Sequence, residues 1–200
     1  MEYKDQLVLT GAIDAVGSPI RQNVGKSRRL GIELELKMNL SSNWLWQPNI
    51  ALSSNQNLDF YFKRDGFLEN LGKTQLAYSP NLVGGSSIMY IPSTRFQIGL
   101  LSKYVGKQYM GNIDSENSTL EAYFVNDLNA VFIWKPNKWV SEIQWSILIN
   151  NIFDIKYESN GYFYTYDDDF SAPGQVKTIE GAGYFPQAGI NFLTGLSLRF

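Results

Sequence analysis

The segment from residue 30 to residue 40 alternates strictly between apolar and polar side chains. Leucine, isoleucine or methionine occupies every even position, and Glu33, Glu35 and Lys37 lie between them. A period of two defines a strand with one apolar and one polar face, whereas a helix would scatter the same residues around its axis. At about 11 residues the segment is longer than an ordinary soluble strand of about 5–6, and it matches the ~9–11 that cross a bilayer. The pattern predicts a strand of membrane-spanning length.

Similar alternation recurs along the chain, and Gly, Asn, Ser and Pro mark the breaks between segments. No run of about 18 apolar residues occurs, which excludes transmembrane helices and leaves a β-barrel as the only way to span a membrane. The sequence therefore predicts an all-β, antiparallel transmembrane β-barrel segment of about eight long strands in meander order. The predicted strands are residues 1–9, 23–40, 44–59, 76–91, 95–110, 120–135, 139–157 and 189–200.

The predicted connections alternate in length. Tight turns at 41–43, 92–94 and 136–138 alternate with longer loops near 10–22, 60–75, 111–119 and 158–188. Short periplasmic turns and long extracellular loops are typical of outer-membrane barrels. Aromatic residues flank the tight turns, where they are expected to form an interfacial girdle. The girdle residues are Trp44, Trp46, Tyr90, Phe96, Trp134 and Trp139.

Composition excludes several classes of function. The 200 residues include no cysteine and no histidine, which removes disulfides, Cys/His zinc sites, thiol nucleophiles and imidazole bases. The net charge of -2 provides no basic surface for nucleic acid. No phosphate loop or catalytic constellation stands out, so we predict neither an enzyme nor a bound cofactor or metal.

A soluble β-sandwich also has alternating strands and is the simplest alternative to a membrane barrel. In a sandwich the polar face meets water, whereas here it is dominated by Asn, Gln and Ser with few charges. The apolar face of residues 30–40 carries no charge, and one Lys or Arg at the bilayer midplane would cost about 2–4 kcal/mol. These features favour a barrel in contact with outer-membrane lipid.

Three stretches together resemble the C-terminal end of TonB-dependent outer-membrane receptors of Gram-negative bacteria. They are YKDQLVLTG (residues 3–11) followed by SRRLGIELEL (27–36), NNIFDIKYESNGY (150–162), and NFLTGLSLRF (191–200). One departure is Ile190, which stands where the family pattern has Arg. The resemblance implies a location in the cell outer membrane and uptake of a scarce small-molecule nutrient, such as a ferric siderophore, haem, cobalamin or a glycan.

The resemblance also implies a 22-stranded barrel filled by an N-terminal plug, with TonB contacting a region before it. At about 20 residues per strand and connection, 200 residues are too few for 22 strands. We therefore expect residues 1–200 to be the C-terminal part of the barrel, without the plug and the earlier strands. The alternative is a complete eight-stranded barrel serving as an anchor or adhesin, closed by pairing of residues 1–9 with 189–200.

The last strand ends in alternating apolar residues and a terminal aromatic residue. In the family, this pattern resembles the signal that the barrel-assembly machinery reads. The residues that fit it are Gly195, Leu196, Leu198 and Phe200.

Residues 158–188 combine aromatic and acidic side chains in the longest predicted loop. Exposed tyrosines often form recognition surfaces, so this loop is the candidate ligand contact. The candidate residues are Tyr162, Tyr164, Tyr166, Asp167, Asp168 and Asp169. Three adjacent carboxylates suit calcium, but they lack EF-hand spacing, and a solvated loop apex is the preferred interpretation.

Overall fold

The computed structural model describes residues 1–14, 16–136 and 139–200. Apart from one short 3-10 helix at Glu116–Ser118, its regular elements are β-strands. The strands are β1 (Glu2–Ile13), β2 (Pro19–Glu35), β3 (Met38–Asn39), β4 (Trp44–Arg64), β5 (Phe67–Gln75), β6 (Leu82–Ser93), β7 (Phe96–Val105), β8 (Gln108–Tyr109), β9 (Thr119–Leu120), β10 (Tyr123–Trp134), β11 (Glu142–Asn150), β12 (Glu158–Asp168), β13 (Lys177–Pro186) and β14 (Asn191–Arg199). In the part of the chain that the structure describes, no helix has the length and apolar character needed to span a membrane.

Eight long strands form an antiparallel meander in the order β1-β2-β4-β6-β7-β10-β11-β14. Each of these strands pairs with the neighbours that follow and precede it along this path. The predicted all-β meander is therefore confirmed, including its approximate strand count. Some bounds differ, since β4 continues to Arg64 and β11 ends at Asn150, seven residues before the predicted end at 157.

Strand register brings apolar residues side by side on one face of the sheet. Ile32 lies opposite Leu52, which in turn lies opposite Leu82. A second row joins Phe132 to Trp145 across the β10–β11 pair. Ile32 is 64% exposed. Because these exposed side chains lie next to one another in successive strands, they form a continuous apolar band on the outside of the sheet, as a lipid-facing surface requires.

Two tryptophans on the apolar face have their indole N–H groups paired within the sheet. Trp145 Nε1 donates to Thr194 Oγ1 at 2.7 Å, and Trp46 Nε1 donates to Ser86 Oγ at 2.9 Å. An unpaired donor in hydrocarbon would carry a desolvation cost, because lipid tails offer no acceptor. These cross-strand bonds allow large aromatic side chains to lie on the membrane face.

The meander is open at its two ends, one formed by β14 and the other by β1 with the part of β2 that follows Arg28. β14 pairs with β11, and β1 pairs with β2 and touches β12 through one parallel pair, Ala12 with Thr165. No pairing between β1 and β14 occurs within the described residues. The closed eight-stranded alternative is therefore wrong for this structure.

Two regions predicted as loops form hairpins instead. Residues 60–75 contain the end of β4 and all of β5, and residues 158–188 contain β12 and β13. The first hairpin turns at Asp65 and Gly66, whose φ angles of 52° and 83° match the left-handed conformation of a two-residue hairpin turn. The predicted loop at 10–22 is shortened to the few residues between β1 and β2, of which Ala15 lies outside the described residues. In the predicted turn 136–138, Asn137 and Lys138 also lie outside them.

The NNIFDIKY stretch forms a tight turn after β11. Asn151 adopts a left-handed φ of 50°, and its side chain exchanges two hydrogen bonds of 2.9 Å with the backbone of Ile155. The same amide donates to Ala188 O at 3.3 Å, and Asp154 Oδ1 accepts from Ile190 N at 3.0 Å. This stretch, which carries part of the family resemblance, therefore holds the start of β14 beside β11.

Because only one face of the sheet is apolar, we expect a charged substitution to destabilise the protein more on that face than on the other. We expect Leu34→Arg, at the middle of the band, to destabilise the protein in bilayers by about 2–4 kcal/mol, because it buries a guanidinium in hydrocarbon. Glu35→Arg places the same group on the opposite face and should cost clearly less. Guanidinium titration of the protein in liposomes measures both free energies of unfolding. Equal losses for the two variants would contradict a lipid-facing assignment of Leu34.

Candidate functional site

The strand ends opposite the tight turns carry a small hydrophobic core of their own. Its buried members come from β1, β4 and the segments that follow β5 and β8, and Leu71 and Phe163 pack against them. The buried members are Val8, Phe60, Phe62, Leu76 and Ile113. Phe60 has no exposed surface. Burial of such side chains stabilises by roughly 1.5–3 kcal/mol each, so this outer region is packed like a small soluble domain.

Asn112 joins three parts of this outer region through its buried side chain. Its Oδ1 accepts from Ala77 N at 2.9 Å and from Asn57 Nδ2 at 3.5 Å, and its Nδ2 donates to Leu9 O at 2.9 Å. Nearby, Asp114 Oδ1 accepts from Gln75 N at 2.7 Å. Burial raises the pKa of Asp114, and this backbone hydrogen bond partly opposes the rise. The network fixes the segment between β8 and β9 against the ends of β1 and β4.

The β12–β13 hairpin docks onto the β4–β5 hairpin through a set of polar contacts. Lys63 Nζ lies 3.0 Å from Asp167 Oδ2, and Thr178 Oγ1 donates to Asp167 Oδ1 at 2.9 Å. Asp65 and Thr178 exchange two more bonds, with Asp65 N donating to Thr178 Oγ1 at 2.8 Å and Thr178 N donating to Asp65 Oδ1 at 2.7 Å. The contacts of Lys63 with Asp167 and of Asp65 with Thr178 join residues more than 100 positions apart in sequence and attach the two hairpins at their tips. The bond between Thr178 and Asp167 lies within the β12–β13 hairpin.

Glu180 makes the second docking contact of the β12–β13 hairpin. Its carboxylate lies 3.4 Å from Arg64 NH2 and accepts hydrogen bonds from Ser115 Oγ and from Asn117 Nδ2, the latter at 3.0 Å. Tyr184 OH donates to Asn117 O at 3.2 Å on the same face. The face of the hairpin that carries Glu180 therefore contacts Arg64 and residues 115–117.

The opposite face of this hairpin presents aromatic rings. Tyr162 and Tyr164 lie opposite Gly183 and Gly181, and a Cβ on either glycine would overlap the tyrosine ring beside it. The rings therefore lie across the glycine backbone, with centroids 6.2 Å apart and planes 20° apart. The Phe185 ring lies 5.9 Å from that of Tyr162, which is 52% exposed. This surface, Tyr162, Tyr164 and Phe185, is the aromatic face.

An open groove of about 550 Å³ lies between the ends of β1 and β2, the β4–β5 hairpin and β12. Its volume falls within the range of about 300–1,000 Å³ that small-molecule sites occupy. The lining is amphipathic, with aromatic rings, aliphatic side chains, hydroxyls, one lysine and two carboxylates. The residues of this outer groove that carry rings or charges are Asp14, Tyr61, Phe62, Lys63, Tyr166 and Asp167.

The predicted ligand-contact residues separate into distinct environments. Tyr166 and Asp167 line the outer groove, and Tyr166 follows Tyr162 and Tyr164 along the same face of β12. Asp168 Oδ1 accepts from the amides of Phe170 and Ser171 at 3.3 and 3.0 Å, and hydrogen bonds from Ser171 lower the pKa of Asp168. Asp169 is exposed. The three carboxylates have different surroundings, and no cluster of three metal-ligating side chains occurs in the described part of the chain.

Sequence reasoning missed the contribution of the β4–β5 hairpin to the outer groove. Tyr61 and Lys63 belong to a segment predicted as part of a loop, and they line the groove because β4 continues outward to Arg64. The Asp65-Gly66 dipeptide is a strong hairpin signal between two strand-like runs, and it would have located this element. Asp14 and Thr10, in contrast, enter the groove only through the tertiary placement of β1, which no local pattern indicated.

The predicted girdle residues lie at the strand ends next to the tight turns. The rings of Trp44 and Tyr90 are 4.7 Å apart, and Phe96 lies opposite Phe132. Trp46 and Trp134 face the same side as these rings, opposite Ile88 and Ile143, and Trp139 is 91% exposed.

The residues of the predicted assembly signal lie at the end of β14 and just beyond it. Leu196 and Leu198 lie opposite Trp145 and Ile143, and Gly195 lies opposite Ser146. Phe200 follows β14 and is 84% exposed.

Comparison with known proteins identifies the class to which this architecture belongs. The family model described as TonB dependent receptor-like, beta-barrel matches residues 1–152. The chain belongs to this family, and its location is the outer membrane of a Gram-negative bacterium. A comparison with curated protein sequences found no match.

Solved receptors share the fold at low sequence identity. The siderophore receptor PiuA of Acinetobacter baumannii has a TM-score of 0.61 at 16% identity, over 98% of this chain and 25% of PiuA. The copper transporter OprC has a TM-score of 0.63 at 19% identity, over 100% of this chain and 27% of OprC. The ferric yersiniabactin receptor FyuA of Yersinia pestis has a TM-score of 0.56 at 20% identity, over 98% of this chain and 26% of FyuA. The chain thus spans about a quarter of the length of these structures.

Acid should release the β12–β13 hairpin through Asp167. Burial raises the pKa of Asp167, but the hydrogen bonds from Lys63 and Thr178 outweigh it and hold the pKa below the ordinary 3.8. Because the pKa of Asp167 is lower in the folded protein than in the unfolded protein, its charge stabilises the folded protein at a pH above the unfolded pKa. This stabilisation is lost as the pH falls through the folded pKa. We expect the hydrogen-exchange protection factor of the Thr178 amide to fall as the pH drops below about 4.

An Asp167→Asn variant provides the matched control for this pH effect. It keeps the size of the side chain but removes its charge, so Thr178 should be less protected at neutral pH and should show a weaker pH dependence. Amides of the β7–β10 ladder should keep their protection in both proteins. An unchanged acid response in the variant would assign the effect to another carboxylate.

Proposed function

We propose that this chain is the C-terminal barrel portion of a TonB-dependent receptor that takes up a scarce small-molecule nutrient across the outer membrane. The observation that carries the proposal is the outer groove, about 550 Å³ in volume, which opens at the outer end of a family barrel sheet. Its rings and charges offer stacking and ionic contacts at the position where an external ligand first meets the protein.

The open edges of the sheet support a barrel that is completed by further strands. Among the described residues, β14 lacks a ladder partner on one side, and so does the part of β2 from Leu30 to Glu35 that lies in the apolar band, because β1 pairs with β2 only as far as Arg28. Unpaired backbone groups in hydrocarbon are costly, so both edges require neighbouring strands in a membrane. We propose that these strands and the plug belong to a longer receptor, since the chain spans only about a quarter of its solved relatives. Contact with TonB would then be made by a region outside residues 1–200.

For the ligand, we propose a metal chelate. The names of the similar structures describe a siderophore receptor, a copper transporter and a ferric yersiniabactin receptor. With no histidine or cysteine, this chain offers no imidazole or thiolate to a metal. Tyr61 and Tyr166 suit the organic part of a chelate instead, through stacking of their rings.

The aromatic face is proposed as a second contact surface for the same ligand. Tyr162, Tyr164 and Phe185 belong to the hairpin that also places Tyr166 and Asp167 in the groove. We further propose that the aromatic residues next to the tight turns lie at the membrane interface. The terminal residues of β14, together with Phe200, would act as the signal read by the assembly machinery.

The groove is tested by removing its rings without disturbing the hairpin contacts. We expect the double variant Tyr61→Ala, Tyr166→Ala to bind its chelate about 5- to 150-fold more weakly, because each of the two stacking contacts contributes about 0.5–1.5 kcal/mol. Fluorescence titration of the detergent-purified protein with ferric enterobactin, ferric yersiniabactin and cupric ion measures this change.

Phe170→Ala is the matched control, since Phe170 is 75% exposed and does not line the outer groove. It should leave the affinity for the chelate within about twofold of the unsubstituted protein, as distant surface substitutions usually do. Binding that survives the double variant, or that is lost equally in the control, would remove the groove from the proposed site. No binding of any probe by the unsubstituted protein would count against the metal-chelate class.

A further inference from the structure

The β1–β2 pair carries a cluster of cations directly beyond the apolar band. Leu30 is the outermost apolar residue of the band on β2, and Arg28 and Lys26 occupy the next two alternate positions. A strand rises about 3.4 Å per residue, so these two positions begin within about 7 Å of the apolar boundary along the strand. They therefore lie at the level of the lipid headgroups on the side of the sheet opposite the tight turns.

Strand register adds a third cation to the same face. Lys4 of β1 lies directly opposite Lys26, and Glu2 lies directly opposite Arg28. Three positive charges and one negative charge thus share a small patch. Like charges directly opposed across a strand pair are destabilising, so the Lys4–Lys26 pairing has a cost that a bound anion would relieve.

Arg29 differs from the three cations of the patch because it lies on the other face of the strand pair. It follows Arg28 in sequence, so its side chain lies on the other face of β2. Its guanidinium lies 5.9 Å from the centroid of the Tyr3 ring, a cation–π contact within the protein. Arg29 therefore has an intramolecular partner on the opposite face from Lys4, Lys26 and Arg28.

The three cations of the patch have no acidic partner in the described structure. None of them lies within 4.0 Å of a carboxylate in the residues that the structure describes, whereas Lys63, Arg64, Lys135, Lys156 and Arg199 each do. Lys4 and Lys26 are exposed. The Nε atom of Arg28 is shielded from solvent and has no hydrogen-bond acceptor among the described residues.

We infer that Lys4, Lys26 and Arg28 bind the phosphate groups of an outer-leaflet lipid, the lipid A part of lipopolysaccharide. A phosphorylated lipid fits the position better than a soluble anion, because its acyl chains can lie along the exposed side chains of Leu30 and Ile32. Its phosphates then meet an Arg that forms directional paired bonds and two Lys that act as point charges. The inference rests on the apolar face of β2 and on the cations directly beyond it, and it is independent of the ligand proposed for the outer groove.

The test removes the three charges and compares lipids that differ only in phosphate. The triple variant Lys4→Gln, Lys26→Gln, Arg28→Gln should bind diphosphoryl lipid A on the order of a hundredfold more weakly, at about fivefold for each cation. Native mass spectrometry of the protein in detergent micelles gives the bound fraction. Dephosphorylated lipid A should bind the unsubstituted protein weakly, with about the affinity of the triple variant for diphosphoryl lipid A. Inorganic phosphate at millimolar concentration should not displace diphosphoryl lipid A from the unsubstituted protein.

A second triple variant controls for net charge. Lys73→Gln, Lys107→Gln, Lys177→Gln removes the same charge from exposed positions outside the patch and should leave lipid binding within about twofold of the unsubstituted protein. Heat-modifiable gel mobility verifies that each variant folds. If the triple variant fails to fold, the single variant Lys26→Gln replaces it, and we expect its affinity for diphosphoryl lipid A to fall about fivefold. Equal weakening in both triple variants, equal binding of the dephosphorylated lipid, or displacement by inorganic phosphate would overturn the inference.

Discussion

The structure depends on one constraint, which is that a backbone in hydrocarbon must satisfy its hydrogen bonds through neighbouring strands. The meander meets this constraint by pairing each long strand with the strands beside it along the path. Once the ladders are formed, side chains alternate across the sheet, and register aligns apolar residues such as Ile32 and Leu52. The polar groups that remain on the membrane face, such as the indole N–H of Trp145, then have to find partners there, and Thr194 provides one.

The same strands follow a different rule where they leave the membrane. Beyond the apolar band, Phe60 and Leu76 are buried in a small core, and Asn112 joins the surrounding segments through hydrogen bonds. The β12–β13 hairpin is attached to this outer region by polar contacts, including the ion pair of Lys63 and Asp167, and by the packing of Phe163 against the core. Exposed ion pairs contribute little stability, so the packing of Phe163 provides more of the attachment than the ion pair does.

This division explains why sequence reasoning succeeded in one part of the molecule and failed in another. Lipid selects for one uniform property on one face, so the alternation of residues 30–40 predicts a strand without any knowledge of neighbours. The structure differs in one detail, since β2 ends at Glu35 and the short β3 resumes at Met38. The outer hairpins lack this alternation of apolar and polar residues. For example, Tyr162 and Phe163 are both aromatic although they lie on opposite faces of β12. The Asp65-Gly66 turn was readable as a hairpin signal, but the docking of Thr178 onto Asp65 joins residues 113 positions apart and had no local signature.

The sequence by itself determined the meander and the identity of the membrane face. It could do so because a period of two and the absence of charge are local properties that a strand in lipid must have. The tertiary structure alone decided that Tyr166 and Asp167 meet Tyr61 and Lys63 around one groove. It also decided that Lys4 lies opposite Lys26. Both results depend on which strand lies beside which, and in what register, and those are properties of the paired chain rather than of any segment within it.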